Sequence, residues 1–183
     1  MAFSGIEAWR YTRKHGAALL LNIGAQKNRP KGWFNVDKYP TFGTAYMNAE
    51  RMRRLRTESF SAVLCEHMIE HVPKPAGLCM CREIHRILKP GGVARFVTPD
   101  ISRMCAIVAD PTESEGRYVD LIRAHLRRPE ELQLLLLEAG FATTTITSAN
   151  GFSNPIFRNA QGHSRLLGEE LNDLEAFGIE AVR

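Results

Sequence analysis

The stretch from Ser61 to Asp100 limits the fold more than any other part of the chain. It reads S-A-V-L-C-E-H-M-I-E-H-V, then a helical run R-E-I-H-R-I-L-K-P-G-G, then V-A-R-F-V-T-P-D. An apolar strand enters a polar turn, a helix follows, a Lys-Pro-Gly-Gly segment stops it, and a second apolar strand begins. Strands that are nearly continuous in apolar residues are buried on both faces, which is the mark of a parallel sheet covered by helices. In such open sheets ligands bind outside the carboxyl ends of the strands. Glu66, His67, Glu70 and His71 follow directly on such an end.

A second run upstream has the same grammar: L-L-L-N-I-G-A-Q-K-N-R-P-K-G-W-F-N-V-D. A strand over 18–23 meets Gly24, and a strand over 33–37 ends on Asp37. Glycine after the first strand lets a ligand approach the backbone, and an acidic residue after the second can accept from both ribose hydroxyls. Only 13 positions separate Gly24 from Asp37. A crossover helix does not fit that span, which argues against a dinucleotide whose pyrophosphate rests on such a helix.

The remaining pattern predicts a third strand at 45–47, a fourth over 60–65, and a helix from about 75 to 88. That helix carries a stripe of Gly77, Met80, Cys81, Ile84, Ile87 and Leu88. Pro90-Gly91-Gly92 ends it, and strand five spans 93–98. A helix capped by Asp100 should run to about residue 109. Residues 113–127 are helical or irregular, and 130–139 form a helix stopped by Gly140. Strands six and seven cover 142–148 and 174–182. A basic helix over 5–15 forms an N-terminal extension (residues 1–16), and residues 150–168 form a loop between the last two strands. No repeat or domain boundary interrupts the 183 residues, so a single domain is expected.

The two runs together resemble the class I S-adenosylmethionine-dependent methyltransferases, in the branch with G-W-x-N-x-D, E-H-x-x-E-H and L-K-P-G-G-x-x-R elements. The resemblance covers about residues 19 to 100, with a weaker echo at Glu138-Ala-Gly-Phe141. It implies a Rossmann-like three-layer α/β sandwich: seven strands in the order 3-2-1-4-5-7-6, mostly parallel, strand seven antiparallel. It implies S-adenosylmethionine as cofactor, held by Asn22, Gly24, Ala25, Gln26, Asp37, Asn48, Ala49, Cys65 and Glu66. Asp37 would fix the ribose, Asn48 the adenine, and Gly24 with its neighbours the methionine end. Glu66 would lie beside the sulfonium, and Glu66 and His67 are the catalytic candidates, since imidazole titrates near neutrality. Glu70 and His71 are read as bracing the turn, with His71 also a candidate acceptor contact. From the loop, Asn154, Phe157, Arg158 and His163 join it, facing a small-molecule or saccharide acceptor. The chain departs from the family pattern in lacking the second glycine (Gly24-Ala25-Gln26), in Ser61 after Phe60, and in a shortened segment before Pro129. These departures support the alternative of a non-catalytic module that binds a nucleoside or a partner.

Other readings weigh less. His67-x-x-Glu70-His71 matches an inverted zinc-peptidase motif, but Pro73 and Pro75 break the long helix that motif needs, so no metal is expected. The cluster Arg51, Arg53, Arg54, Arg56 and the pair Arg127-Arg128 would suit RNA, yet no aromatic residues interleave to stack bases. Lys27 and Arg29 read as solvated loop charges. The net charge of +4 permits an acidic partner without demanding one, and four cysteines without a C-x-x-C pair fit a reducing compartment. Arg13-Lys14-His15 before Ala17–Leu21 imitates a signal peptide, but Asn22 interrupts the apolar run. No stretch reaches the roughly 20 apolar residues of a membrane helix. A cytoplasmic protein with no membrane partner is expected; the oligomeric state is not legible.

Overall fold

The structure is a computed structural model that describes residues 19–100, 102, 128–160, 162 and 176–183. Seven strands form one sheet: β1 (Leu19–Ile23), β2 (Phe34–Asp37), β3 (Ala45–Tyr46), β4 (Phe60–Glu66), β5 (Leu88–Pro99), β6 (Thr143–Ser148) and β7 (Ala176–Val182). Their order is β3-β2-β1-β4-β5-β7-β6. β1 to β5 pair in parallel, and β7 runs antiparallel between β5 and β6. Two helices are described, α1 (Lys74–Ile87) and α2 (Pro129–Glu138). The expected strand order and the antiparallel seventh strand are both present. The expected helices over 5–15 and beyond Asp100, the segment 113–127 and His163 lie outside the described residues. Asp100 itself accepts the Ser102 N–H at 2.9 Å through Oδ1, as a cap would.

Alternation along the strands sorts the core into two faces. Leu19, Leu21 and Ile23 of β1, Val63 and Cys65 of β4, and Ala94 and Phe96 of β5 join one large cluster. Leu20, Ala62, Leu64 and Val93 join a second. Right-handed crossovers put connections that run toward β5 on one face and those that run toward β3 on the other. The first face accordingly takes the β3–β4 linker (Met52, Leu55), α1 (Met80, Ile84, Ile87) and α2 (Leu132, Leu136). The α1 stripe is buried as its spacing predicts: Gly77, Met80, Cys81, Ile84 and Ile87.

The second face is covered differently. With no helix between β1 and β2, its described cover is Trp33 and the segment from Phe152 to Ala160. A 3-10 turn at Pro155–Phe157 brings Phe157 against Trp33, ring centroids 6.0 Å apart. Phe157 is fully buried there.

The Lys89–Gly92 segment departs from the expected boundary. It does not separate α1 from β5 but bulges inside β5: Leu88 pairs with Phe60 and Val93 with Ala62. Four residues loop out of the ladder between those pairs, and Gly91, at φ +73°, makes the excursion possible. The bulge is secured by Gly91 N–H on Arg183 O (2.9 Å) and Arg183 N–H on Gly92 O (3.0 Å).

Candidate functional site

The carboxyl ends of β1 and β2 open into a cavity of about 430 Å³, lined by Gly24, Gln26, Asp37, Lys38, Tyr39, Asn48, Ala49, Glu50, His67, Met68 and His71 among others. That size is in the range of small-molecule sites, about 300–1,000 Å³. The loop after β1 is built for close approach. Gly24 sits at φ +73° and Gln26 at φ +37°, and the N–H groups of Gly24 and Ala25 both donate to Val36 O (3.0 and 3.1 Å). A Cβ on Gly24 would come within 2.6 Å of the Met68 side chain, so glycine is required by space as well as by backbone.

Asp37 fixes the cavity wall. Its Oδ2 accepts the Gln26 N–H at 3.0 Å and its Oδ1 accepts the Tyr39 N–H at 2.7 Å. Each carboxylate oxygen retains a further lone pair, so the buried group can still accept from a ligand. Asn48 turns the chain after β3, its Oδ1 accepting the Glu50 N–H at 2.9 Å. Positive-φ glycine, a carboxylate after β2 and an acceptor amide after β3 thus share one cavity, a donor and acceptor set that fits a nucleoside bearing a cationic centre.

The turn after β4 supplies the opposite wall. His67 has φ +47°, a conformation uncommon outside glycine, and its N–H is tied to Val97 O at 2.8 Å. Its Nδ1 lies 3.4 Å from Glu70 Oε1. Glu70 is buried, and its Oε2 accepts the Thr98 hydroxyl at 3.0 Å. The residues of the H-x-x-E-H run leave a strand and enter a three-residue 3-10 turn, Ile69–His71, rather than an α-helix. Among the described residues, no group of three or more His, Cys, Asp or Glu is placed to hold a metal.

Of the residues expected to surround a ligand, the cavity gathers Gly24, Gln26, Asp37, Asn48, Ala49, His67 and His71. Others stand elsewhere. Ala25 and Cys65 are buried in the wall behind it. Glu66 and Asn22 alternate onto the second face. There Glu66 Oε2 accepts from Asn28 Nδ2 (2.8 Å) and from Gly162 N–H (2.9 Å). Asn22 donates to Asn28 O (2.8 Å) and to Asn35 Oδ1 (3.0 Å). Glu66 thus does not line this cavity. Period-two alternation sends its side chain away from the cavity, and its charge latches two loops together.

The segment 150–162 does reach Glu66, as expected, but by backbone. Asn154 caps the 3-10 turn, Phe157 is core, and Arg158 lies 5.9 Å over the Phe152 ring. Among the described residues, this segment and Trp33 are what cover the second sheet face. Arg29 is occupied by Phe42 O. Asn28 escaped sequence reasoning as a site-building residue, and the Thr98 partner of Glu70, read as bracing the turn, was not foreseen. Asn28 has no periodic signature, and its partners Glu66 and Ala160 lie far away in the chain, as Thr98 does from Glu70.

Residues 21–96 match the profile of the methyltransferase domain family. No curated protein matches the chain in sequence. Among solved structures, a SAM-dependent methyltransferase from Archaeoglobus fulgidus aligns with TM-score 0.57 and 15% identity, covering 98% of this chain and 95% of that one. The plantazolicin methyltransferase BamL, in complex with a triazolic desmethylPZN analog and SAH, aligns with TM-score 0.61 and 14% identity over 96% of this chain and 89% of that one. Phosphoethanolamine N-methyltransferase 2 from Haemonchus contortus, in complex with S-adenosyl-L-methionine, aligns with TM-score 0.54 and 14% identity; 97% of this chain covers 52% of that one. Across β1 to β5 the chain is thus similar to the methyltransferase domain family, and it shares its seven-stranded fold with SAM-dependent methyltransferases.

Proposed function

We propose that this chain transfers the methyl group of S-adenosylmethionine to a small-molecule or saccharide acceptor, using the cavity at the ends of β1, β2 and β4. The observation that carries this reading is the convergence of Gly24, Asp37, Asn48 and His67 on that cavity. Asp37 holds the ribose with the acceptor capacity left over from its two backbone amides. Asn48 faces the adenine, and the Gly24–Gln26 loop takes the methionine end. The bound cofactor supplies an electrophilic methyl group on a sulfonium. The protein's task is then mainly to align the acceptor with it and to take a proton. The candidates for taking that proton are His67 and His71, both on the cavity wall.

Titration calorimetry with S-adenosylhomocysteine tests the reading. The wild type should bind, and Asp37→Ala should bind more than tenfold more weakly, since hydrogen bonds to a charged acceptor contribute about 1.5–3 kcal/mol each. Equal affinity in a folded Asp37→Ala protein removes Asp37 from the ribose site, and no binding by the wild type removes the cofactor reading.

A further inference from the structure

We infer that the lobe formed by the loops 26–31 and 38–44 is a docking surface for a bilayer whose headgroups are acidic. Such docking does not depend on the methyl-transfer reading. It is a surface contact, since no described helix is long and apolar enough to cross a membrane. The lack of a spanning segment, on which the expectation of no membrane partner rests, does not bear on a surface contact.

The lobe joins the two features that interfacial binding draws on, apolar side chains to insert and cations to hold an acidic surface. Of the six exposed large hydrophobic residues among those described, three (Tyr39, Phe42 and Tyr46) fall within the span 39–46. Phe42 is 96% exposed and Tyr39 76%. Apolar residues scattered singly over a surface need no explanation, but three gathered at the β3 edge of the sheet do. Phe42 does not stand on a slack loop. Arg29 donates to its carbonyl oxygen. The Thr44 N–H donates to Thr41 O at 3.0 Å, and the Thr41 N–H to Thr44 Oγ1 at 2.7 Å. A turn held in this way loses little freedom on docking.

The charge of the lobe has one sign. Between Gly24 and Met47 the exposed charged residues are Lys27, Arg29, Lys31 and Lys38. The acid in that span, Asp37, is buried and accepts two backbone N–H groups. Thr41 Oγ1 donates to Gln26 O at 3.4 Å, so the two basic loops move as one body with the Arg29–Phe42 contact. Lys38 Nζ lies 5.9 Å from the centre of the Tyr39 ring, which presents cation and aromatic ring together. A single-stranded nucleic acid is held by rings set along a groove. Here the most exposed ring stands at the tip of a turn, between Thr41 and Gly43, where it can enter the headgroup layer. Lys38 and Tyr39 also line the cavity, so docking brings the cavity mouth to that layer.

Co-sedimentation of the full chain with phosphatidylcholine vesicles, with and without phosphatidylserine, tests this. The wild type should bind the acidic vesicles only, and less as salt is added. Phe42→Ser should partition about tenfold less, the apolar area of the ring being lost. Its thermal midpoint should not change, because the ring is exposed in the folded chain. Lys27→Gln combined with Lys31→Gln should lose about fivefold for each lysine. Absence of binding, equal binding to both kinds of vesicle, or equal binding by Phe42→Ser overturns the proposal. So does a short single-stranded RNA bound in place of vesicles, which makes the lobe a nucleic-acid site. A dimer that Phe42→Ser dissolves, in a protein that ignores vesicles, overturns it in favour of a second copy of the chain.

Discussion

Arg95 shows how little a residue's letter says about its work. In the sequence it is one arginine in an apolar strand. In the fold it is completely buried, its Nη1 3.2 Å from Glu180 Oε1, with Thr147 Oγ1 and Ala149 O as further acceptors at 3.1 and 2.9 Å. Glu180 in turn accepts the N–H groups of Ser153 and Asn154 at 2.9 and 3.0 Å. One ion pair therefore joins β5 and β7 to the start of the segment that covers the second face. Gly178 makes room for it: a Cβ there would lie 2.7 Å from the guanidinium and 2.5 Å from Thr147 Oγ1. Breaking a buried pair from one side leaves an uncompensated charge. Arg95→Leu should lower the unfolding free energy by about 3–5 kcal/mol. Denaturant unfolding measures this, and a loss under about 1 kcal/mol would mean that Glu180 is satisfied by its backbone donors alone.

At the scale of elements, two groups on α1 titrate away from their ordinary values, Glu83 and His85. Arg86 near the end of α1 donates to Leu55 O and Met52 O, each at 3.0 Å, and to Glu83 at 2.8 Å. That hydrogen bond from Arg86 holds the Glu83 carboxyl below its ordinary value of 4.5. Its stabilising share is present above 4.5 and is lost as the solution is acidified through the lowered value. His85 packs edge-on against Phe141, centroids 5.3 Å apart. Burial, then the nearby Arg183 charge, lowers its pKa from the ordinary 6.5. The unfolded chain thus binds a proton before the folded one does, so stability falls as pH drops past 6.5. Unfolding measured from pH 7.5 to 5 should show this fall, and His85→Leu should flatten part of it. Identical slopes would show that His85 has no part in it.

These elements also show what was legible. The α1 stripe and the apolar strands were readable because burial imposes periods of 3.6 and 2 on the sequence. Gly24 and Asp37 were readable because they sit at strand ends. The direction of Glu66 was not, since a shift of one residue at the end of β4 decides which face it serves. Asn28 and the Thr98 partner of Glu70 were hidden because Glu66, Ala160 and Thr98 come near them only in the folded sheet.

For the whole molecule, the asymmetry between the two sheet faces governs what can be removed. The first face has helices to spare, whereas the described cover of the second rests on Trp33 and the segment around Phe157. Phe157→Ala should cost about 3–5 kcal/mol, as for other fully buried phenylalanines. Its thermal midpoint should fall by several degrees, whether or not a ligand is present. A change in ligand affinity at unaltered stability would instead return Phe157 to the acceptor site.

The position of β7 has a consequence for biosynthesis. It comes last in sequence among the described strands but is an interior strand of the sheet: Ala176 pairs with Pro99 of β5, Phe177 with Ser148 of β6, and Val182 with both Val93 and Thr143. While a nascent chain emerges, β1 to β5 can assemble, but β5 then presents an open ladder with Val93 to Thr98 along it. β6 cannot close that ladder, because its place lies one strand further out. An open, apolar edge is a template for pairing with another chain. The polypeptide therefore passes through a window of exposure that shuts only when Ala176–Val182 slides between its neighbours. Slow translation or early release just before that segment would favour association between unfinished chains over completion of the sheet.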